Sequence, residues 1–336
     1  MRILVIGGTR FVGWHFVQAA LAQGHELTLF CRGVSGQLPQ GVTHLAGDRD
    51  ASLDVLQQGR WDAVVDTCAY RPLQMRRMAE RLSTLVERYL MISTVSVYAT
   101  QLTPNHEDAP LATTDEPDAQ TVGPGNYGAL KALCEQALGE SWAAQRVVIL
   151  RPGLIVGPRD TTQRFPYWPA RIARCQPDEP VLLPGGAAEP VQFIDARDLA
   201  AFMLRALEQG LYGRYNVISP PEQWNMGDVI DSCCRVAGTQ PRRVWASADE
   251  VERLGLRPWQ DLPLWVPAQG DHASFAATPV RAALAAGLQI RPLDQTVADT
   301  LRWWQGLPAE QQVFEQAGLS PQREAQALQA LQELRA

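Results

Sequence analysis

The chain has 336 residues, of which 46% are apolar, and this is enough to bury a large core. Its net charge is −6 and its arginines are scattered along the chain, so it lacks the basic face that nucleic-acid binding needs. No segment approaches the roughly 18 apolar residues of a membrane span, and an early first strand leaves no room for a signal peptide, which together predict a cytoplasmic protein that binds neither nucleic acid nor membrane.

A glycine-rich turn follows the first predicted strand. The apolar run Arg2–Ile6 leads directly into Gly7-Gly-Thr-Arg-Phe-Val-Gly13, and a helix is predicted from Trp14 to Gln23. Strand, turn and helix in this order form the phosphate-binding start of a βαβ unit, because backbone N–H groups and the helix dipole meet the pyrophosphate there. A merely structural turn is the alternative. We predict that the cofactor is bound by Gly7, Thr9, Arg10, Phe11, Val12 and Gly13.

The residues after the second predicted strand favour NADP over NAD. That strand, Glu26–Phe30, is followed by Cys31-Arg32-Gly33, with no acid that would repel a 2′-phosphate. Arg32 could pair with such a phosphate, and Arg10 adds positive charge beside the pyrophosphate. A solvated loop position is the alternative for Arg32. Asp48, after the third predicted strand, could accept a hydrogen bond from the adenine amino group.

Lys131 is the only lysine, and it follows Tyr127 by four residues. Residues four apart lie on one face of a helix, so the two side chains are expected to point the same way. An ammonium beside a phenol favours the phenolate and lowers the tyrosine pKa, which suits a proton donor and acceptor near neutral pH. Chance placement is the alternative.

Hydroxyl residues end the fifth predicted strand, Arg88–Thr94. The fourth predicted strand, Trp61–Asp66, has an apolar centre that suits a sheet covered on both faces. Side chains at the carboxyl end of a parallel strand face the crevice in which α/β sheets bind ligands, which makes Thr94 a candidate site residue. Turn formation is an equally good explanation of Ser93 and Thr94.

The complete set of motifs resembles the extended short-chain dehydrogenases/reductases, the NAD(P)-dependent epimerase/dehydratase superfamily. The resemblance implies a Rossmann-type doubly wound parallel α/β sheet with a smaller C-terminal α/β substrate lobe. The glycine turn with Arg10 is similar to that of an atypical subgroup that includes chloroplast stem-loop-binding proteins. The resemblance rests on the glycine turn, Gly47-Asp48, Ser93-Thr94, Tyr127-x-x-x-Lys131, Arg151–Pro158, Gln192–Asp198 and Tyr215-Asn-Val217.

Several residue roles are implied by this resemblance. Tyr127 would be the general acid/base, and Lys131 would bind the nicotinamide ribose and lower the pKa of that tyrosine. Thr94 would hold the substrate oxygen, and the backbone after Pro152 would line the nicotinamide pocket. NADP is the expected cofactor, with NAD as the second possibility.

The second half of the chain is predicted to carry the substrate lobe. Residues 1–150 would form the nucleotide domain and residues 151–336 mainly the substrate lobe, with the helix at 195–209 returning to the nucleotide domain. Aromatic walls are typical of small-molecule pockets, and arginines suit an anionic substrate group. Core packing and surface positions are the alternatives. The candidate substrate residues are Trp168, Trp265, Arg164, Arg171 and Arg291.

Three functions remain open from the sequence. The favoured one is an oxidoreductase that transfers hydride at a carbonyl or hydroxyl carbon of a small molecule. A nucleotide-sugar epimerase or dehydratase with tightly bound NAD(P) would use the same residues. A non-catalytic nucleotide sensor or RNA-binding relative is disfavoured, because Tyr127 and Lys131 are both present. No metal site is expected, since neither the cysteines nor the histidines have ligand spacing, and a homodimer is compatible with this class.

Overall fold

A computed structural model describes residues 1–34 and 36–336, and its elements are numbered here in chain order. The strands are β1 (Arg2–Ile6), β2 (Glu26–Cys31), β3 (Val42–Ala46), β4 (Trp61–Asp66), β5 (Val86–Ile92), β6 (Val147–Pro152), β7 (Leu154–Val156), β8 (Pro180–Pro184), β9 (Pro190–Val191), β10 (Phe193–Asp195), β11 (Gly213–Val217), β12 (Trp224–Asn225) and β13 (Arg242–Ala246). The helices are α1 (Phe11–Ala22), α2 (Pro72–Leu82), α3 (Tyr127–Ser141), α4 (Tyr167–Ala173), α5 (Ala196–Glu208), α6 (Met226–Ala237), α7 (Ala248–Arg253), α8 (Arg281–Ala285), α9 (Leu293–Gln305) and α10 (Pro321–Arg335).

A parallel sheet of seven strands organises the first half of the molecule. Its order is β11-β6-β5-β4-β1-β2-β3, and every neighbouring pair is parallel. The order runs outward in two directions from β1 and β4, so the crevice at their carboxyl ends is the expected ligand site of a doubly wound sheet. The predicted Rossmann-type α/β class is confirmed. The edge strand β11 comes from residues 213–217, far along the chain.

Helices cover both faces of this sheet. On one face α1 packs against α5, and the buried side chains of Phe16 and Leu199 meet those of Ile3 and Val5 from the sheet. On the other face α2 packs against α3, over Leu4 and Ile6. Strand β1 is apolar on both faces because both faces are covered.

The later residues build a second, smaller unit with a core of its own. Strands β8 and β13 pair in parallel, and α4 packs against both α6 and α9. The core between these elements is rich in aromatic side chains, including those of Phe165, Tyr167 and Phe193. Two short strand pairs, β7 with β10 and β9 with β12, lie among these later residues. In the described part of the chain, no helix is both long and apolar enough to cross a membrane.

Candidate active site

A cavity of about 1200 Å³ lies at the carboxyl ends of the central strands. Residues after β1 through β6 contribute to its wall, as do α3 and segments of the smaller unit. This volume exceeds the roughly 300–1000 Å³ of a single small-molecule pocket, which leaves room for a dinucleotide and a second molecule. The predicted site residues in its wall are Gly7, Thr9, Arg10, Phe11, Val12, Gly13, Arg32, Asp48, Thr94, Tyr127 and Arg164.

The glycine turn is shaped so that side chains are excluded at two positions. Gly7 has φ +101°, and a Cβ there would lie 2.5 Å from the Thr67 hydroxyl oxygen. A Cβ on Gly13 would lie 2.7 Å from the backbone nitrogen of Gly8. Helix α1 begins at Phe11, directly after Arg10 in extended conformation. Bare backbone therefore faces the cavity at a helix N-terminus, which fits the pyrophosphate of a dinucleotide.

The end of the cavity beside β2 and β3, where a dinucleotide's adenosine is expected, carries charges of both signs. Arg32 is exposed at the end of β2, and Asp48 follows β3. One Asp48 carboxylate oxygen accepts a hydrogen bond from the backbone N–H of Asp50 at 2.9 Å. Arg49 also reaches the wall, but its guanidinium is paired with the buried Asp66 at 3.0 and 3.1 Å. Arg32 is therefore better placed than Arg49 to meet a ligand phosphate.

Tyr127 and Lys131 occupy the first turns of α3. The phenol is half-buried in the cavity wall, whereas Lys131 is only 2% exposed and does not reach the wall. Its ammonium donates to the carbonyl oxygens of Ala69 at 2.7 Å and Ile92 at 2.6 Å. These carbonyls lie just after β4 and at the end of β5, so the ammonium ties α3 to the sheet.

The expected lowering of the Tyr127 pKa is wrong for this structure. Burial raises the pKa of Tyr127, and its hydrogen-bonding neighbour Thr94 opposes the rise only in part. Lys131 does not act on it, because its ammonium is directed at backbone carbonyls and is itself destabilised by burial, which lowers the Lys131 pKa. The cofactor-free site therefore keeps the phenol protonated.

Thr94 is held rigidly at the carboxyl end of β5. It caps a single helical turn, Val95–Val97, by accepting a hydrogen bond from the Ser96 N–H at 3.1 Å. The same cavity wall contains Thr94 and Tyr127. A phenol and an aliphatic hydroxyl thus line the same cavity.

Gly128 permits this arrangement, and it was not among the predicted residues. A Cβ at Gly128 would lie 2.0 Å from the carbonyl oxygen of Ser96. The start of α3 therefore approaches the Thr94 turn more closely than any other residue type would allow. The place of Gly128 directly after Tyr127 in the sequence could have indicated a close backbone approach at this point.

The predicted tryptophan contacts with substrate are wrong. Trp168 is fully buried, and its indole N–H donates to the Pro263 carbonyl oxygen at 2.9 Å. Trp265 is 1% exposed and belongs to the same core. Neither residue reaches the cavity wall. The core of the smaller unit uses these large apolar side chains for packing.

Two of the three predicted substrate arginines are engaged elsewhere. Arg291 is bound to Asp198, with Nε 2.8 Å from one carboxylate oxygen. Arg171 pairs with the buried Glu324 at 2.7 Å and with Glu179 at 2.9 Å. Both predictions are therefore wrong, because acidic partners from distant parts of the chain neutralise these cations. Arg164 alone of the three lies in the cavity wall.

Other wall residues complete the site. Pro152 ends β6 in the buried interior, and the next three residues, 153–155, line the cavity. Sequence reasoning missed Tyr70, whose ring lies 5.5 Å from the Lys131 ammonium, and the pair of Trp259 and Phe275. Tyr70 follows β4 at the crevice and could have been found by its position.

The geometry agrees with a comparison against family sequence models. The model of the NAD dependent epimerase/dehydratase family matches residues 3–218, which is most of the chain. The chain belongs to this family. The expected membership of the extended short-chain dehydrogenases/reductases is thereby confirmed, and the protein is a member of a family of enzymes whose cofactor is a nicotinamide dinucleotide.

A comparison with curated proteins shows how far the sequence similarity extends. The chloroplast stem-loop binding protein of 41 kDa b from Arabidopsis thaliana is 26% identical over 258 residues, covering 71% of this chain and 64% of that protein. This chain thus spans less than two thirds of that relative.

Two solved structures support the fold. WbmH of Bordetella bronchiseptica, in complex with NAD+, has a TM-score of 0.66 at 17% identity and covers 91% of this chain and 98% of its own. UDP-glucose 4-epimerase of Thermus thermophilus, in complex with NAD, has a TM-score of 0.61 at 19% identity, with coverages of 91% and 99%. At such identities the likeness concerns the fold.

Proposed function

We propose that this family member catalyses reversible hydride transfer between NAD(P) and a carbonyl or hydroxyl carbon of a small molecule. The observation that carries the proposal is that Tyr127 and Thr94 share one cavity wall with the glycine turn. The nicotinamide would supply the hydride donor or acceptor. Residues 1–150 would provide most of the cofactor site, and the later residues most of the substrate lobe.

Tyr127 and Thr94 would act on the same substrate oxygen. Because burial raises the pKa of Tyr127, the phenol is protonated at rest and suited to give its proton to a carbonyl oxygen during reduction. In the reverse direction the phenolate left by that transfer would take the proton back from the alcohol. The Thr94 hydroxyl would hold the same oxygen in place, since its turn is fixed by the bond to Ser96.

Lys131 would position the cofactor rather than transfer a proton. An ammonium group has three N–H donors, and two of them are engaged by the carbonyls of Ala69 and Ile92. Lys131 does not reach the wall of the cofactor-free cavity, so its third donor would bind a ribose hydroxyl of the cofactor only where the ring of Tyr70, 5.5 Å from the ammonium, moves aside on binding. This role explains why a compact ammonium is needed, because the planar fork of arginine would place its donors differently.

The distribution of carboxylates favours redox chemistry or epimerisation over dehydration. Elimination of water needs a second acid/base group near the reacting carbon, in addition to the group that serves the carbonyl oxygen. Among the described wall residues the carboxylates are Asp48 and Asp50, both after β3 at the adenosine end. The wall from Thr94 onward supplies none.

Epimerisation is the second candidate, and the family match supports it. An epimerase returns the hydride to the same substrate and keeps its cofactor bound. Nucleic-acid binding, which the name of the stem-loop binding relative indicates for that protein, is less well supported here. The net charge of −6 disfavours contact with phosphate backbones, and the cavity retains Tyr127.

NADP is proposed as the preferred cofactor. Arg32 lies at the end of β2, where the adenosine ribose of a bound dinucleotide would approach, and it is exposed in the cavity wall. A guanidinium there would bind the 2′-phosphate with charge-assisted hydrogen bonds.

The purified protein tests the reaction class. Denaturation releases any bound dinucleotide, which absorbance and enzymatic cycling identify. An empty protein that binds added NADPH reversibly supports a reductase, and cofactor released only on denaturation supports an epimerase. A protein that neither retains nor binds NAD(P) would contradict the proposal.

A further inference from the structure

Arg164 is a half-buried cation without an acidic partner. Its side chain makes no hydrogen bond or ion pair to any residue within 1–34 and 36–336, and its Nε is buried without a partner. By contrast, buried arginines such as Arg151 and Arg171 are paired with glutamates at 2.6 and 2.7 Å. A buried charge without a partner costs free energy, and an anion that binds to Arg164 would offset this cost.

The nearest carboxylate does not satisfy Arg164. Asp160 lies four residues earlier and influences the Arg164 guanidinium electrostatically, but the two form no ion pair. One Asp160 oxygen is itself buried without a partner, and Asp160 does not reach the cavity wall. The cation thus remains available on the cavity side.

An aromatic pair fixes the guanidinium. The Arg164 guanidinium carbon lies 5.1 Å from the ring centroid of Trp259, which meets Phe275 edge to face at 5.2 Å. Trp259 has φ +69°, a left-handed conformation that is rare for a bulky residue. Strained backbone of this kind clusters at ligand sites, because surrounding structure must hold it. Stacking leaves the guanidinium edge free to bind an anion.

The rest of this end of the cavity is uncharged and combines polar with apolar side chains. Among the described wall residues from Tyr98 onward, Arg164 is the one with a formal charge at neutral pH. The Gln101 carbonyl oxygen is near His272 at 2.9 Å, while its amide NH₂ donates to no described residue. Neutral amides and hydroxyls beside aromatic rings suit a polyhydroxylated molecule. These neutral polar residues are Gln101, Asn105, Thr161, Thr162, Gln192, Ser274 and Thr278.

We infer that the substrate is a compact polyhydroxylated molecule with a single anionic group, a carboxylate or a phosphate monoester, that binds Arg164. The inference rests on the proposed function and narrows its substrate class. A nucleoside diphosphate would bring at least two charges to the part of the wall from Tyr98 onward, which offers one cation, and it would have to share about 1200 Å³ with the cofactor.

Calorimetric titration of the NADP⁺-saturated protein tests the inference. The probes are glucuronate, glucose 6-phosphate, glucose and UDP-glucose. We expect a charged monosaccharide to bind at least about 10-fold more tightly than glucose and than UDP-glucose, since a charge-assisted bond to arginine is at stake. Tighter binding of glucuronate would indicate a carboxylate site, and tighter binding of glucose 6-phosphate would indicate a phosphate site.

Variants assign the effect to Arg164. Arg164→Gln should weaken the preferred charged probe by about 10-fold or more and leave glucose and NADP⁺ affinities within about 2-fold. Arg164→Lys should retain part of the affinity, because the charge remains while the stacking on Trp259 is lost. Arg253→Gln, an exposed arginine of the same unit outside the cavity wall, is the matched control and should change nothing.

Failure of the inference is distinguishable from failure of the proposed function. If NADP⁺ and NAD⁺ do not bind at all, the proposed function fails. If either cofactor binds, the inference alone is overturned by tighter binding of UDP-glucose, by no binding of either charged sugar at millimolar concentration, or by unchanged affinity in a folded Arg164→Gln protein. Melting temperature establishes folding, and Arg164→Lys serves if the glutamine variant does not fold.

Discussion

Lys131 lies one helical turn beyond Tyr127, yet its ammonium binds the carbonyls of Ala69 and Ile92 and not the Tyr127 phenol. Lys131 therefore links α3 to the sheet through hydrogen bonds, and Tyr127 on the same helix is the candidate catalytic residue. In the cofactor-free protein these hydrogen bonds help to hold the Tyr127 phenol in position, while burial raises the pKa of Tyr127.

Replacement of Lys131 should affect both stability and function. Lys131→Met leaves two buried carbonyls without donors, which should cost on the order of 1–3 kcal/mol and lower the melting temperature. Lys131→Arg should lose most activity and weaken cofactor binding, because the guanidinium is longer and planar. Thermal unfolding and NADPH titration measure the two effects. A stable, fully active Lys131→Arg enzyme would show that any cation suffices.

Gly128→Ala should reduce activity more than it reduces cofactor affinity. The new methyl group would meet the Ser96 carbonyl oxygen at 2.0 Å, so the start of α3 must shift away from the Thr94 turn. Gly139→Ala, on the same helix with no atom within 4 Å of the new methyl group, is the control and should stabilise the helix by about 0.5–1 kcal/mol. Equal effects of the two substitutions on turnover would contradict the close approach.

Asp160→Asn should stabilise the protein more at pH 8 than at pH 4. Burial raises the pKa of Asp160 from 3.8 to about 6, so the folded state holds this proton more tightly than the unfolded chain. The stabilisation from protonation is complete below pH 3.8 and is lost as the pH rises through about 6. At pH 8 the amide should therefore gain about 2–3 kcal/mol, measured by thermal or urea unfolding at both pH values. A gain that does not depend on pH would be inconsistent with a buried carboxylate.

Arg32→Gln should reduce the preference for NADPH. The loss of an arginine–phosphate pair should weaken NADPH binding by about 1.5–3 kcal/mol and leave NADH binding nearly unchanged. Fluorescence titration with both cofactors measures the difference. Equal affinities of the natural enzyme for NADPH and NADH would refute the role of Arg32 at the outset.

Local patterns in the sequence were sufficient to predict five of the seven strands of the sheet, β1 to β5. The predicted strands Arg2–Ile6 and Trp61–Asp66 have the observed bounds, because short apolar runs between turns identify buried parallel strands. The glycine turn between β1 and α1 was also predicted from the sequence. The predicted start of α1 at Trp14 was three residues late, because Phe11 already lies in the first helical turn.

Long-range partners could not be predicted from the sequence. Arg171 meets Glu324, which lies 153 residues away, and no local pattern connects them. The same limit explains why Arg164 could not be separated from Arg291 as a substrate candidate. The direction of the Tyr127 pKa was missed for a related reason, since the helical spacing of Lys131 does not reveal which carbonyls its ammonium meets.

Tyr127→Phe tests the central claim most directly, because it removes one hydroxyl from the cavity wall and leaves the packing of α3 intact. Turnover of an identified substrate and NADPH affinity should be measured on the same preparation. We predict that turnover falls by about 100-fold or more while cofactor affinity and melting temperature stay close to those of the natural protein. Near-normal turnover in the phenylalanine variant would contradict the assignment of Tyr127 as the general acid/base.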